Sequence, residues 1–156
     1  MELSNKVLLL VLASFGLVCG ECPDGFINHE NMCYHFSHDT ETWVDASVAC
    51  DKFFGAQLVE IETAKENTFL VNKATSLSGH EARWWLGGND LQVEGHWKWA
   101  TSNNDVQFTA WHGGPSNSDK NENCMEIFRG GWNDNQCKLP QRYICEKPLN
   151  GEHIIG

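Results

Sequence analysis

Glu122, Asn133 and Asp134 are the residues of this chain whose types and spacing could hold a metal ion. Two are carboxylates and one is an amide, and all three offer the hard oxygen donors that Ca2+ prefers. Cys124 and Cys137 bracket Trp132, Asn133 and Asp134 and are placed to close a short loop around them, with Glu122 just outside. Asn-Asp is also ordinary turn chemistry, because both side chains satisfy their own backbone in loops. The pair therefore counts only in its context. Zinc is a poor alternative: among the six cysteines from Cys22 onward no pair has CxxC spacing, and no HExxH occurs among the histidines. A GxSxG elbow and a Cys-His pair with a free thiol are absent too, so the chain is not expected to be an enzyme.

Around these residues the chain reads as an exported domain. Glu2 and Lys6 are the only charges in residues 1–20, residues 7–18 are almost wholly apolar, and small Gly20 precedes a polar stretch. That is a secretory signal peptide with cleavage after Gly20, too short for a comfortable membrane span. The domain is expected over 21–148, with its core over 22–147 and a short tail over 149–156. No other segment is apolar enough to cross a bilayer. The signal takes away one acid and one base, so the net charge stays at -10. An acidic surface without a basic stripe repels phosphate backbones, so nucleic acid is not an expected partner. Cys19 falls in the signal, and the six remaining cysteines imply three disulfides whose pairing the count leaves open. No Asn-x-Ser/Thr acceptor occurs.

Two helices and several strands must position the candidate ligands. Residues 22–33 are polar and turn-rich, and Tyr34 and Phe36 suggest a short strand. Thr42-Trp43-Val44-Asp45 is a helix start, after which Trp43, Ala46, Cys50 and Phe53 recur on one face until Gly55. Residues 57–61 read as a strand. Thr63 opens a second helix with Phe69, Leu70 and Ala74 inward and Gly79 near its end. Strands follow at Trp84-Trp85-Leu86-Gly87 and around Trp97 and Trp99, then at 124–127 and 142–146. The tryptophans are read as core rather than as a sugar-stacking platform. Between Thr101 and Asn123 regular signals stop, and a structureless run that long tends to be functional or disordered. Helices first and aromatic strands later suggest an α+β fold with segregated layers.

In this order and spacing the motifs resemble a C-type lectin-like domain over about residues 22–147. Carrying the likeness are Cys22 and Cys33, the helix from Thr42 to Cys50, Trp85-Leu86-Gly87 and Gly95-x-Trp97-x-Trp99. Pro115, Cys124, Trp132-Asn133-Asp134, Cys137 and Cys145 complete it. Within that family the pattern is similar to perlucin-like secreted lectins of molluscs. The resemblance implies two helices on small antiparallel sheets and a long irregular loop region for calcium and ligand. It also implies the pairs Cys22–Cys33, Cys50–Cys145 and Cys124–Cys137. Its sugar-binding members hold Ca2+ with a Glu-Pro-Asn or Gln-Pro-Asp triplet, a later Glu and the Asn-Asp pair, and the sugar's hydroxyls complete the coordination.

Glu122, Asn133 and Asp134 carry over to that site. The triplet does not, since Gly114-Pro115-Ser116 lacks a carboxylate or amide on each side of the proline. Asp90, Glu94, Asn117 and Asn123 match an accessory calcium site with amides replacing two acids, which implies weaker binding. The resemblance implies a secreted, Ca2+-dependent, carbohydrate-binding lectin recognising microbial or endogenous glycans in innate immunity. Its carbohydrate site would comprise Gly114, Pro115, Ser116, Glu122, Asn133 and Asp134, and self-association stays open. A structural protein of a mineralised shell matrix, with a vestigial sugar site, is the alternative.

Overall fold

Both helices begin where the sequence places a side-chain oxygen on the first turn. In a computed structural model describing residues 20–115 and 121–149, Thr42 Oγ1 accepts the Asp45 N–H at 3.2 Å and donates to the Asp45 carboxylate at 2.6 Å. This reciprocal cap opens α1 (Trp43–Phe54), and Gly55 closes it in the left-handed conformation, its N–H on the Asp51 carbonyl. Thr63 caps α2 (Ala64–Ser78) through the Glu66 N–H. The inner face of α1 is Trp43, Ala46, Ala49 and Cys50. Phe53, expected on that face, is 78% exposed. Three turns of about 3.6 residues bring Phe54, not Phe53, back to the direction of Trp43, and Phe54 packs on Phe26 and His35. On α2, Leu70 and Ala74 are buried and half-buried Phe69 stacks on His29.

The strands are β1 (Ile27–His29), β2 (Met32–Phe36), β3 (Gln57–Leu58), β4 (Trp84–Asn89), β5 (Lys98–Trp99), β6 (Cys124–Phe128), β7 (Gly131–Asn135) and β8 (Arg142–Pro148). They follow the path β1-β2-β8-β4-β6-β7, with β3 on β8 and β5 on β4. Pairing is antiparallel except between β4 and β8, where Trp84 and Arg142 run side by side in the same direction. The antiparallel sheets expected from the resemblance are thus joined by one parallel pairing, made when the last strand enters between β2 and β4. Val59, Glu60 and Ile61 are buried but leave the strand that the sequence suggests after Leu58. β1 lies in a stretch that reads as turns, and it pairs with β2 around a two-residue turn.

Six of the seven tryptophans are buried and Trp111 is half-buried, so indole belongs to the core here. Trp85-Leu86-Gly87 owes its glycine to packing: a Cβ at Gly87 would sit 2.9 Å from the Leu58 carbonyl oxygen. The disulfides are Cys22–Cys33, Cys50–Cys145 and Cys124–Cys137, as the resemblance implies. Cys50–Cys145 fastens α1 to β8 across 95 residues of chain. Residues 1–19, Ser116, Asn117 and residues 150–156 lie outside the described residues, and with them nearly all of the expected signal and tail.

Candidate functional site

The Asn-Asp pair lies in a strand rather than in the loop that its residue types suggest. β6 and β7 form a hairpin whose two turn residues, Arg129 and Gly130, both have positive φ (51° and 84°), the twist a tight hairpin needs. Glu126 faces Asn133 across the ladder and Met125 faces Asp134. Side chains alternate along a strand, so Asn133 shares its face with Glu126, and Asp134 follows on the face of Trp132 and Met125. The Cys124–Cys137 bond closes the open end of the hairpin, where Glu122 enters.

Asn133 is oriented by a carboxylate that the sequence reading missed. Its Nδ2 donates to Glu126 Oε1 at 2.8 Å and to the Asp134 carbonyl at 2.6 Å. Only the nitrogen of an amide can donate to a carboxylate, so the Asn133 oxygen is the arm turned away. Asn135 Nδ2 reaches Glu126 Oε2 at 3.3 Å, and Arg83 forms an ion pair with Oε1. Glu126 is fully buried, and burial pushes its carboxyl above the ordinary value against the opposing pull of Asn133 and Arg83. The signal was available: Glu126 and Asn133 oppose each other once residues 129–130 are taken as a hairpin turn. Their types instead pointed to a loop.

Asp134 is 2% exposed, while Glu122 and Asn133 are half-buried. Among the described residues no three His, Cys, Asp or Glu side chains gather as a metal site. The triplet position adds a backbone constraint. Gly114 has φ +96°, a conformation L side chains rarely adopt, and the Gly114–Pro115 peptide is trans. A glycine there is favoured by the chain path and not only by the absence of a ligand.

Two of the accessory positions also carry features that suit a cation. Asp90 is 3% exposed; its Oδ2 accepts the Gly95 N–H at 2.8 Å, and its Oδ1 is buried without a hydrogen-bond partner. Asn123 Oδ1 is in the same condition, and the Asp90 N–H donates to the Asn123 carbonyl at 3.2 Å. Two buried acceptors with no donor, on residues joined by a backbone bond, suit a bound cation. Glu94 is exposed on the turn between Asp90 and Gly95. The irregular run after Thr101 is not loose where it is described. Residues 110–112 pair with Trp132, and Val106, Phe108, Ala110 and Trp111 pack on the core.

A second carboxylate cluster also escaped the sequence reading. Buried Glu146 accepts from Gln57 Nε2 at 3.0 Å and the Glu60 N–H at 2.9 Å. Glu66 accepts from the Tyr34 hydroxyl at 2.7 Å, and Glu60 from the Thr101 and Ser102 N–H groups. Burial pushes the Glu146 carboxyl up to about 8. These bonds tie β8, α2 and the start of the long loop together.

Two helices beside a mixed sheet, three disulfides and an oxygen-rich loop end define the C-type lectin fold class. The mouse scavenger receptor C-type lectin carbohydrate-recognition domain superposes with a TM-score of 0.72 at 30% identity, over 82% of this chain and 98% of that one. A perlucin-like protein of Mytilus galloprovincialis is 35% identical, over 80% of this chain and 81% of its own length. The C-type lectin domain family 4 member M of Symphalangus syndactylus is 35% identical over 87% of this chain, which spans about a third (32%) of that protein. The Lectin C-type domain family matches residues 39–147, and the chain belongs to it.

Proposed function

We propose that the protein is a secreted lectin that binds glycans with the help of Ca2+ held weakly. Glu122, Asn133 and Asp134 would hold the main ion, and Asp90, Glu94, Asn117 and Asn123 the accessory one. Ca2+ supplies a hard Lewis acid that two adjacent sugar hydroxyls coordinate. The chain's own part is orientation. Glu126 takes the nitrogen of the Asn133 amide and so leaves its oxygen to accept a ligand, and the hairpin disulfide holds Glu122 near the same end.

The observation that carries the calcium reading is the pair of donor-less buried oxygens, Asp90 Oδ1 and Asn123 Oδ1. A glycan array with and without chelator tests the function. Binding lost in chelator supports it, and undiminished binding refutes the calcium requirement. Microbial and endogenous glycoconjugates met in innate immune recognition are the proposed ligands. Export rests on the apolar leader, and among the described residues no helix is long and apolar enough to cross a membrane. A second reading, a shell-matrix component with a vestigial sugar site, draws on Gly114: its +96° φ disfavours the carboxylate that sugar-binding relatives place there.

A further inference from the structure

The chain carries a net charge of -10, yet all three of its arginines meet at one place, remote in sequence from one another. Arg83 and Arg142 line a depression of about 540 Å³ together with Thr40 and Gln141, and Glu81 on its rim takes a two-pronged ion pair from Arg129. Arg83 is pinned by buried Glu126 on one side and by the Phe128 ring, 3.7 Å from its guanidinium carbon. Arg142 spends one terminal nitrogen on the Ser37 and His38 carbonyls and lies over the Trp84 ring at 5.5 Å. Both guanidinium groups are thus held in place with donors left over. Counting Glu126 and Glu81 against the three arginines leaves one positive charge in an acidic molecule.

The floor of the depression adds a second, independent feature. Gln141 is 5% exposed, and both atoms of its side-chain amide are buried without a sound hydrogen bond among the described residues. Its nitrogen lies near enough to Glu126 to help hold that carboxyl down; its oxygen can only accept, and has no donor. An unsatisfied buried amide is costly unless something completes it. An amide offering both an acceptor and a donor matches a pair of sugar hydroxyls. Planar guanidinium groups match a carboxylate. The volume suits one or two sugar rings.

We propose that this depression is a calcium-independent subsite for a carboxylate-bearing sugar, with Arg83 and Arg142 on the carboxylate and the Gln141 amide on hydroxyls. Nothing in it uses Glu122, Asn133 or Asp134, so it can hold an acidic residue of a glycan whether or not the calcium end is engaged. That the ligand is a sugar rests on the lectin reading; that it is an anion rests on the arginines.

The test is amide NMR on the mature chain in chelator, titrated with glucuronate, glucose or acetate. Glucuronate should shift the signals of residues 81–83 and 139–142, glucose should leave them in place, and acetate should bind at least about tenfold more weakly than glucuronate. Gln141→Leu replaces the unsatisfied amide by an apolar group of similar size, so the fold should survive while glucuronate affinity drops about tenfold. Arg142→Lys keeps the charge but loses the planar fork, and should also weaken glucuronate. Equal affinity for acetate and glucuronate would leave an anion site and overturn the sugar. Equal affinity in Gln141→Leu and parent would overturn the role of the amide, and no shift with glucuronate would overturn the subsite. Because chelator is present throughout, these outcomes are independent of the calcium-dependent array.

Discussion

Replacing Glu126 by leucine should weaken both the fold and the calcium end, although Glu126 occupies no ligand position. The carboxylate is fully buried and serves Arg83, Asn133 and Asn135 together. Removing one partner of a buried pair costs about 3 to 5 kcal/mol, because the other charge and its amides are stranded. Arg83 has 37% of its side chain in water and can rehydrate, so the lower end, about 3 kcal/mol, is expected. Urea unfolding with the disulfides intact measures it, and the midpoint should fall with an unchanged slope.

The double variant Glu126→Leu with Arg83→Met removes both charges and should recover at least half of the loss, since a hydrophobic replacement of the whole pair is often neutral. Calorimetric titration gives the second readout. With only its bond to the Asp134 carbonyl left, the Asn133 amide is less firmly held, and calcium affinity should fall by about tenfold, one hydrogen bond to a charged group being worth roughly 1.5 kcal/mol or more. A Glu126→Leu protein within about 0.5 kcal/mol of the parent would refute the network as an energetic unit. Equal calcium affinity would refute Glu126 as the residue that positions Asn133.

Glu146 should make stability depend on pH. Its folded carboxyl holds a proton up to about 8 against an ordinary value of 4.5, so the native state binds more protons between those values. Stability is then greatest below the ordinary value and falls by about 2 to 4 kcal/mol as pH rises to about 8; Glu146→Gln should flatten that part of the curve, and a parent curve that is already flat would refute it. Asp134→Ala and Asp90→Asn should each lower calcium affinity in calorimetry while leaving the unfolding midpoint in chelator within about 1 kcal/mol of the parent; unchanged affinity in both would mean that these carboxylates are structural. Removing Cys50–Cys145 by a double alanine substitution should cost about 4 to 5 kcal/mol in the same unfolding assay, because the bond closes a loop of 95 residues; a loss under about 1 kcal/mol would contradict the loop-entropy account. Gly114→Glu with Ser116→Asn should raise mannose binding in calcium, and the +96° φ at Gly114 should make it cost about 1 kcal/mol of stability; mannose binding no tighter than the parent's would show that the missing triplet is not what limits the site.

Local chemistry made much of this protein legible in its sequence. Thr42 and Thr63 cap their helices and Gly55 ends the first one, because a cap needs only residues three or four positions away. Tryptophan density announced the core, since large apolar surfaces have nowhere else to go. The disulfide pairing came from family resemblance and not from the count of cysteines. Contacts between residues far apart in sequence were not legible. β8 enters between β2 and β4, parallel to one and antiparallel to the other, and no local pattern encodes a neighbour 58 residues upstream such as Trp84. Asn133 and Asp134 have the composition of a loop, but the hairpin pleat puts them in a strand, where Glu126 sets which atom of the Asn133 amide is taken up. The three arginines are scattered along the chain and read as ordinary surface charge; only the sheet order brings Arg83 and Arg142 to one depression with Gln141, and Arg129 to Glu81 beside it. Residue types thus set which atoms could donate, accept or coordinate, and long-range strand pairing decided which of them meet.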